Sequence, residues 1–294
     1  MATLREVRGR ISGVKKTQKI TRAMKMVAAA KLRRAQSGVV AARPYASAMH
    51  NLFGHLAAIV GPEANPLLVS RPVEKVTLVV VTSDRGLCGA FNSNIIKTAQ
   101  ARIKGDYASF YERGKLRIVC IGKKGSDFFK KNGYPVAQSY PGVFQRLEFH
   151  TAQAVVRLLV EMFRKGETDV VEVIYNEFKN ASQQKIIIER FLPLRPETVA
   201  GHSTKTPPEY IYEPGVESIM GALIPRYLDF QLWRALLESN AAQEGARMTA
   251  MNNATENANE MISTLQLQYN KARQASITKE LLEIVGGAEA LGQG

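Results

Sequence analysis

From Met248 to Ala272 the residues MTAMNNATENANEMISTLQLQYNKA fall into heptads. With Met248 at a, the a positions are Met248, Thr255, Ile262 and Tyr269, and the d positions are Met251, Ala258, Leu265 and Ala272. This spacing predicts an apolar seam that includes Ile262 and Leu265 and leaves Asn252 and Asn259 outside it. Between Val216 and Val285 the only proline is Pro225 and the only glycines are Gly221 and Gly245, so one helix, or two nearly collinear ones, can run the whole stretch. At about 1.5 Å per residue such a helix extends roughly 100 Å, whereas a compact globule of this chain length is about 50 Å across. The helix must therefore project, and its seam requires a partner helix or a surrounding protein.

A second long helix is predicted over about residues 3 to 58. Leu4, Val7, Ile11 and Val14 recur at spacings of three and four, and after a stutter Ile20, Met24, Val27 and Leu32 continue the stripe. Gly9 and Gly13 weaken its start, and Pro44 is expected to kink or break it, because proline inside a helix costs about 3 kcal/mol. Between the two helices the pattern changes. Val76–Val81, Leu116–Ile121 and Val170–Tyr175 are continuous β-branched runs of the kind buried on both faces of a parallel sheet. Helical segments follow at about Asn92–Lys104, Ser126–Asn132 and Leu147–Lys165. The β-α-β-α-β-α-β order predicts a doubly wound, Rossmann-like α/β domain, with Lys185–Leu192 pairing antiparallel to Val170–Tyr175 at its edge. The fold class is thus α/β: a long antiparallel two-helix coiled coil with an α/β domain inserted in it. The expected divisions are an N-terminal coiled-coil helix (1–60), the α/β domain (73–192), a proline-rich linker (193–214) and a C-terminal coiled-coil helix (215–288).

The net charge of +14 changes this picture once it is located. Residues 1–50 carry Arg5, Arg8, Arg10, Lys15, Lys16, Lys19, Arg22, Lys25, Lys31, Arg33, Arg34 and Arg43 against the single acid Glu6, whereas residues 213–294 carry more acids than bases. One basic segment, rather than a uniformly basic surface, implies an acidic partner: nucleic acid, an anionic membrane or an acidic protein surface. Its Arg-rich, acid-poor start has the composition of a transit peptide, but the pattern runs on too long for one. No run reaches the length of a membrane-spanning helix. Cys88 and Cys120 have no CxxC spacing and no ligand cluster beside them, which places the chain in a reducing compartment without disulfide or zinc.

A doubly wound domain invites a nucleotide, so each glycine cluster needs testing. Gly86–Gly89 (GLCG) sits where a phosphate loop would follow the first strand, without GxGxxG and without Gly-Lys-Ser/Thr; Gly122–Ser126 (GKKGS) lacks the Walker spacing. Both read as tight strand-to-helix turns. His50, His55, His150 and His202 form no HExxH, and no nucleophile-base pair or paired carboxylates stand out. The expectation is a non-catalytic chain that binds no cofactor and no metal.

Three segments resemble one family. Arg8–Gln36 (RGRISGVKKTQKITRAMKMVAAAKLRRAQ), Ser83–Asn92 (SDRGLCGAFN) and Tyr269–Val285 (YNKARQASITKELLEIV) are similar, in this order and over nearly the whole length, to the gamma subunits of F-type ATP synthases. The resemblance implies an antiparallel coiled coil inside a ring of alpha and beta subunits, with the α/β domain beside the epsilon subunit on the membrane c-subunit ring. ATP would be made or hydrolysed in the alpha/beta ring of this proton-translocating machine, and this chain would carry torque. Small residues such as Ala28, Ala29, Ala30, Ala241 and Ala242 suit a slender shaft. The resemblance places contacts with beta subunits at Met24, Arg247, Gln274, Thr278, Glu280 and Glu283. A basic face of Lys15, Lys16, Lys19, Arg22, Lys25, Lys31, Arg33 and Arg34 would attract acidic beta-subunit loops.

Chloroplast members of that family carry a cysteine-bearing insertion and mitochondrial members a cleaved extension. Neither is recognised here, which points to the cytoplasmic face of a bacterial inner (plasma) membrane, with peripheral attachment. The competing expectation is a nucleic-acid-binding protein using the basic helix as an arm. Against it, the cations of Lys15–Arg34 are interleaved with Ile20, Met24, Met26 and Val27 and with no aromatic residue to stack on bases.

Overall fold

A computed structural model describes residues 3–61, 63, 65–181, 183–195, 212, 213 and 215–292. Most of the proline-rich linker expected over 193–214 thus lies outside the described residues. The element order is α1 (Leu4–Val60), β1 (Val76–Val81), α2 (Phe91–Lys104), α3 (Ala108–Glu112), β2 (Leu116–Ile121), α4 (Lys123–Lys131), β3 (Val136–Tyr140), α5 (Phe149–Arg164), β4 (Val170–Phe178), β5 (Gln184–Leu192) and α6 (Val216–Gly292). The chain divides into two compact units, Met1–Ala28 with Met248–Gly294, and Ala29–Arg247.

The larger unit is built on a five-stranded sheet in the order β3-β2-β1-β4-β5. Its first four strands are parallel, and β5 runs antiparallel to β4. Side chains alternate along each strand, so Val76, Leu78 and Val80 pack with Ile95, Ala99, Ile103 and Phe129 of α2 and α4. Val79 and Val81 pack on the other face with α5 and with parts of α1 (Met49, Phe53, Leu56) and α6 (Ile224, Leu228, Leu232). Three layers result. Coverage of both faces is why β1, β2 and the first part of β4 are apolar at nearly every position, with Thr77, Arg117 and Glu172 the exceptions. β3 has no such run: VAQSY is a half-exposed edge strand, and its composition gives no continuous stripe to find. A buried staple fixes the start of β4. Asp169 accepts from the Glu74 and Lys75 backbone N–H groups at 3.0 and 2.9 Å and from Arg71 Nε at 2.5 Å, while Arg71 lies over the Phe163 ring.

Pro44 does not break α1. It and Val40, whose carbonyl would have taken the missing N–H, are both on the exposed face, where water can satisfy that carbonyl. Likewise α6 continues through Pro225.

In the smaller unit, α1 and α6 run antiparallel. Arg8 and Ile11 share a groove with Gln266, Tyr269 and Asn270, Gln18 donates to Asn259, Thr255 to Thr21 at 2.8 Å and Lys25 to Asn252 at 2.5 Å. On α6 the heptad reading holds: Met251, Ala258, Ile262 and Leu265 are buried. On α1 the expected stutter is absent. Leu4, Val7, Ile11, Val14, Gln18, Thr21, Lys25, Ala28 and Leu32, all buried or half-buried, keep a strict three-four spacing with Met24 and Ala29 half-buried beside them, while Ile20 and Val27 are 60% and 57% exposed. The seam simply becomes polar for three layers, and a search for apolar residues jumps to the wrong face. Asn252 and Asn259, expected outside the seam, reach across it as the acceptors for Lys25 and Gln18.

Candidate functional site

The Ser83–Asn92 segment leaves β1 where strand order reverses, the usual place for a ligand in an open α/β sheet. Here the donors are already used. The Asp84 carboxylate accepts from the backbone N–H groups of Lys123 (2.9 Å), Gly142 (2.7 Å) and Phe144 (2.8 Å), so a side-chain anion occupies the N-terminus of α4 where a phosphate would bind. The two glycines of GKKGS serve packing. A Cβ on Gly122 would meet the Thr82 carbonyl oxygen at 2.0 Å, and one on Gly125 the Thr82 side chain at 2.8 Å. Ser83 and Asn92 tie the loop shut: Asn92 Oδ1 accepts from the Ser83 N–H at 2.9 Å, Asn92 Nδ2 donates to Ser83 Oγ at 2.7 Å, and Ser83 Oγ donates to the Arg85 carbonyl at 2.6 Å.

This frame has an inner and an outer side. Inward, Cys88 and Phe91 pack on Ala242 and Ala246 of α6, so these alanines seat the loop as well as slimming the helix. Outward, Leu87 holds a left-handed backbone (φ 63°) with its side chain 61% exposed. A non-glycine residue there pays a strain cost, and exposure returns no burial energy. Sequence reading passed over Leu87, since only backbone geometry marks it out.

The residue next to this seat on α6 is Arg247. It was expected to be a partner contact; the structure shows its side chain only 12% exposed and paired at 2.5 Å with the 6% exposed side chain of Glu244. The remaining expected contact residues belong to the smaller unit. Met24 is half-buried on α1, and Gln274, Thr278, Glu280 and Glu283 are exposed on α6. Thr278 donates to the Gln274 carbonyl, Glu280 accepts from Ser276 and Glu283 pairs with Lys279 at 3.6 Å, all within the helix. Beside them Ile277, Leu281, Leu282, Ile284 and Val285 are 48–68% exposed. Sequence reading missed this apolar surface, although the ITKELLEIV run contains it. On α1, Lys15, Lys16, Lys19, Arg22, Lys31, Arg33 and Arg34 are exposed as expected. Lys25 is the exception, half-buried with its ammonium on Asn252.

A cavity of about 620 Å³ lies between α1, α6 and the β4–β5 end. Of its carboxylates, the buried Glu238 accepts from the Phe178 N–H at 3.1 Å, and Glu189 accepts from Tyr175 Oη, Gln231 Nε2 and Arg234 Nη2 at 2.8–3.2 Å, which leaves Glu189 no freedom to act as a base. Among the described residues no group of three His, Cys, Asp or Glu is placed to hold a metal, and no helix is long and apolar enough to cross a membrane.

The family model described as ATP synthase matches residues 3–291. The ATP synthase gamma chain of Chloroherpeton thalassium is 52% identical, covering 100% of this chain and 99% of the relative. That of Chlorobaculum parvum is 51% identical over 100% of both. Among solved structures, a chain from the central stalk/c-ring structure of Tetrahymena thermophila mitochondrial ATP synthase matches with TM-score 0.59 and 27% identity over 80% of this chain and 99% of that one. A chain of the Euglena gracilis mitochondrial ATP synthase OSCP/F1/c-ring structure shares the fold, with TM-score 0.69 and 24% identity over 98% and 94%. The two long terminal helices, the inserted doubly wound sheet and full-length identity of about 50% place this chain in the family of ATP synthase gamma chains, the non-catalytic stalk subunit of that enzyme.

Proposed function

We propose that this chain is the central rotor shaft of a proton-translocating F-type ATP synthase. It couples rotation of a membrane c-subunit ring to synthesis or hydrolysis of ATP in a ring of alpha and beta subunits. The α/β unit sits with the epsilon subunit on the c-ring, and the complex is peripheral on the cytoplasmic face of a bacterial inner membrane. The observation that carries this reading is the surface of the smaller unit. Ile277, Leu281, Leu282, Ile284 and Val285 on α6 and Ile20, Met26 and Val27 on α1 expose apolar side chains on helices whose seam is already filled. Such a surface needs a surrounding protein.

Acidic loops of the beta subunits are the partners for the basic face of α1, while Met24, Arg247, Gln274, Thr278, Glu280 and Glu283 make the contacts that sense nucleotide state. The nucleic-acid reading is weaker. It would leave those apolar residues in solvent, and Lys25, one of its cations, is turned into the seam. Co-purification with alpha and beta subunits, resistant to about 0.5 M salt, is the expected result. Release at that salt together with binding to any duplex would favour the phosphate-binding alternative.

A further inference from the structure

Glu244 is 5% exposed and its Oε2 is buried with no hydrogen-bond partner among the described residues. Its Oε1 lies 2.5 Å from Arg247 Nη1, and Arg247 is its only ion-pair partner among the described residues. A carboxylate stripped of water must be balanced by donors or charge, so it holds the one guanidinium within reach. The helix cannot roll to re-aim that pair. On one side a Cβ on Gly245 would already meet Ala181 backbone atoms and the Phe178 ring at 3.3 Å; Ala242 and Ala246 lie under Cys88 and Phe91.

We propose that Glu244 is a positioning residue for Arg247. It takes one of the five guanidinium donors and, through the planarity of the group, fixes the direction of the others toward the partner surface that Arg247 serves. Glu244 itself touches no partner. This role rests on the proposed contact between Arg247 and the beta subunits, and it makes that contact preorganised, so that little side-chain freedom is lost each time the contact forms.

The test is steady-state ATP hydrolysis by the complex reassembled with alpha and beta subunits, using Glu244→Ala, Glu244→Gln, Arg247→Ala and the double alanine variant. Glu244→Ala is expected to lower kcat about tenfold with KM unchanged. Glu244→Gln, whose amide oxygen still accepts from Arg247, retains kcat within about threefold. In the Arg247→Ala background, Glu244→Ala adds no further loss, since residues acting as a unit are not additive. Thermal melts of each chain check folding, and the glutamine variant preserves the shape.

Full kcat in Glu244→Ala, equal losses in both backgrounds, or no rescue by glutamine overturns the positioning role. A silent Arg247→Ala overturns the contact itself and the positioning role with it. An impaired Arg247→Ala beside a normal Glu244→Ala overturns the positioning role alone.

Discussion

At the scale of single residues, the pairing of Arg247 with Glu244 changes what a mutation there reports. Arg247→Ala leaves a buried carboxylate without compensation, and breaking a buried ion pair from one side costs about 3 kcal/mol or more. The isolated Arg247→Ala chain should therefore melt earlier, and adding Glu244→Gln should recover most of the loss, because the uncompensated charge goes. A melt unchanged by Arg247→Ala would mean that the pair is solvated. The Arg71–Asp169 staple makes a second residue-scale prediction. Burial pulls the Asp169 carboxyl upward, but the Glu74 and Lys75 N–H groups and Arg71 outweigh it and hold its pKa below the ordinary aspartate range. A carboxyl depressed in the folded state stabilises above its unfolded pKa, and that stability is lost as pH falls through the folded one. Asp169→Asn should thus lower stability at neutral pH and flatten the acid limb of a stability-pH profile below about pH 4. An acid limb as steep as in the parent chain would assign the acid sensitivity to other carboxylates.

At the scale of elements, the coiled coil tests whether apolar and polar layers differ in worth. Leu265 is buried between only two helices, so Leu265→Ala should cost about 2 kcal/mol, the low end for a buried leucine. Asn259→Ala, which removes the acceptor for Gln18, should cost about 1 kcal/mol, more than its place off the heptad seam suggests. Val27→Ala should cost less than about 0.5 kcal/mol in the isolated chain, being on the outer face. Urea melts of the three variants give the order directly; Val27→Ala costing as much as Leu265→Ala would put the α1 stripe back where apolar spacing alone had it.

These elements also show what the sequence makes legible. The α6 seam could be read because Met251, Ala258, Ile262 and Leu265 are apolar at fixed spacing, and β1, β2 and β4 because burial on both faces leaves runs with a single polar residue in each of 76–81, 116–121 and 170–175. Burial on α1 could not be read where it falls on Gln18, Thr21 and Lys25. Their place in the seam depends on hydrogen-bond partners more than two hundred residues away in the chain. Glu244 lies only three residues before Arg247, but it is the burial of both side chains, which spacing does not show, that makes the pair matter, and Leu87 stands out only by its backbone angle.

For the whole molecule, the claim that matters is that this chain turns within a static ring while carrying no catalytic group of its own. The parts fit that division of labour: Asp84 fills the anion site of the doubly wound sheet, and the helical unit displays cations and apolar side chains together. The most direct test uses Ser109→Cys on α3, an exposed position on a chain whose own Cys88 and Cys120 are buried. A bead is attached through the introduced thiol, the alpha/beta ring is fixed to a surface, and the bead is watched during ATP hydrolysis. The account predicts rotation in one direction that stops when ATP is withdrawn. A bead that stays still while the same immobilised complexes hydrolyse ATP at full rate would contradict it.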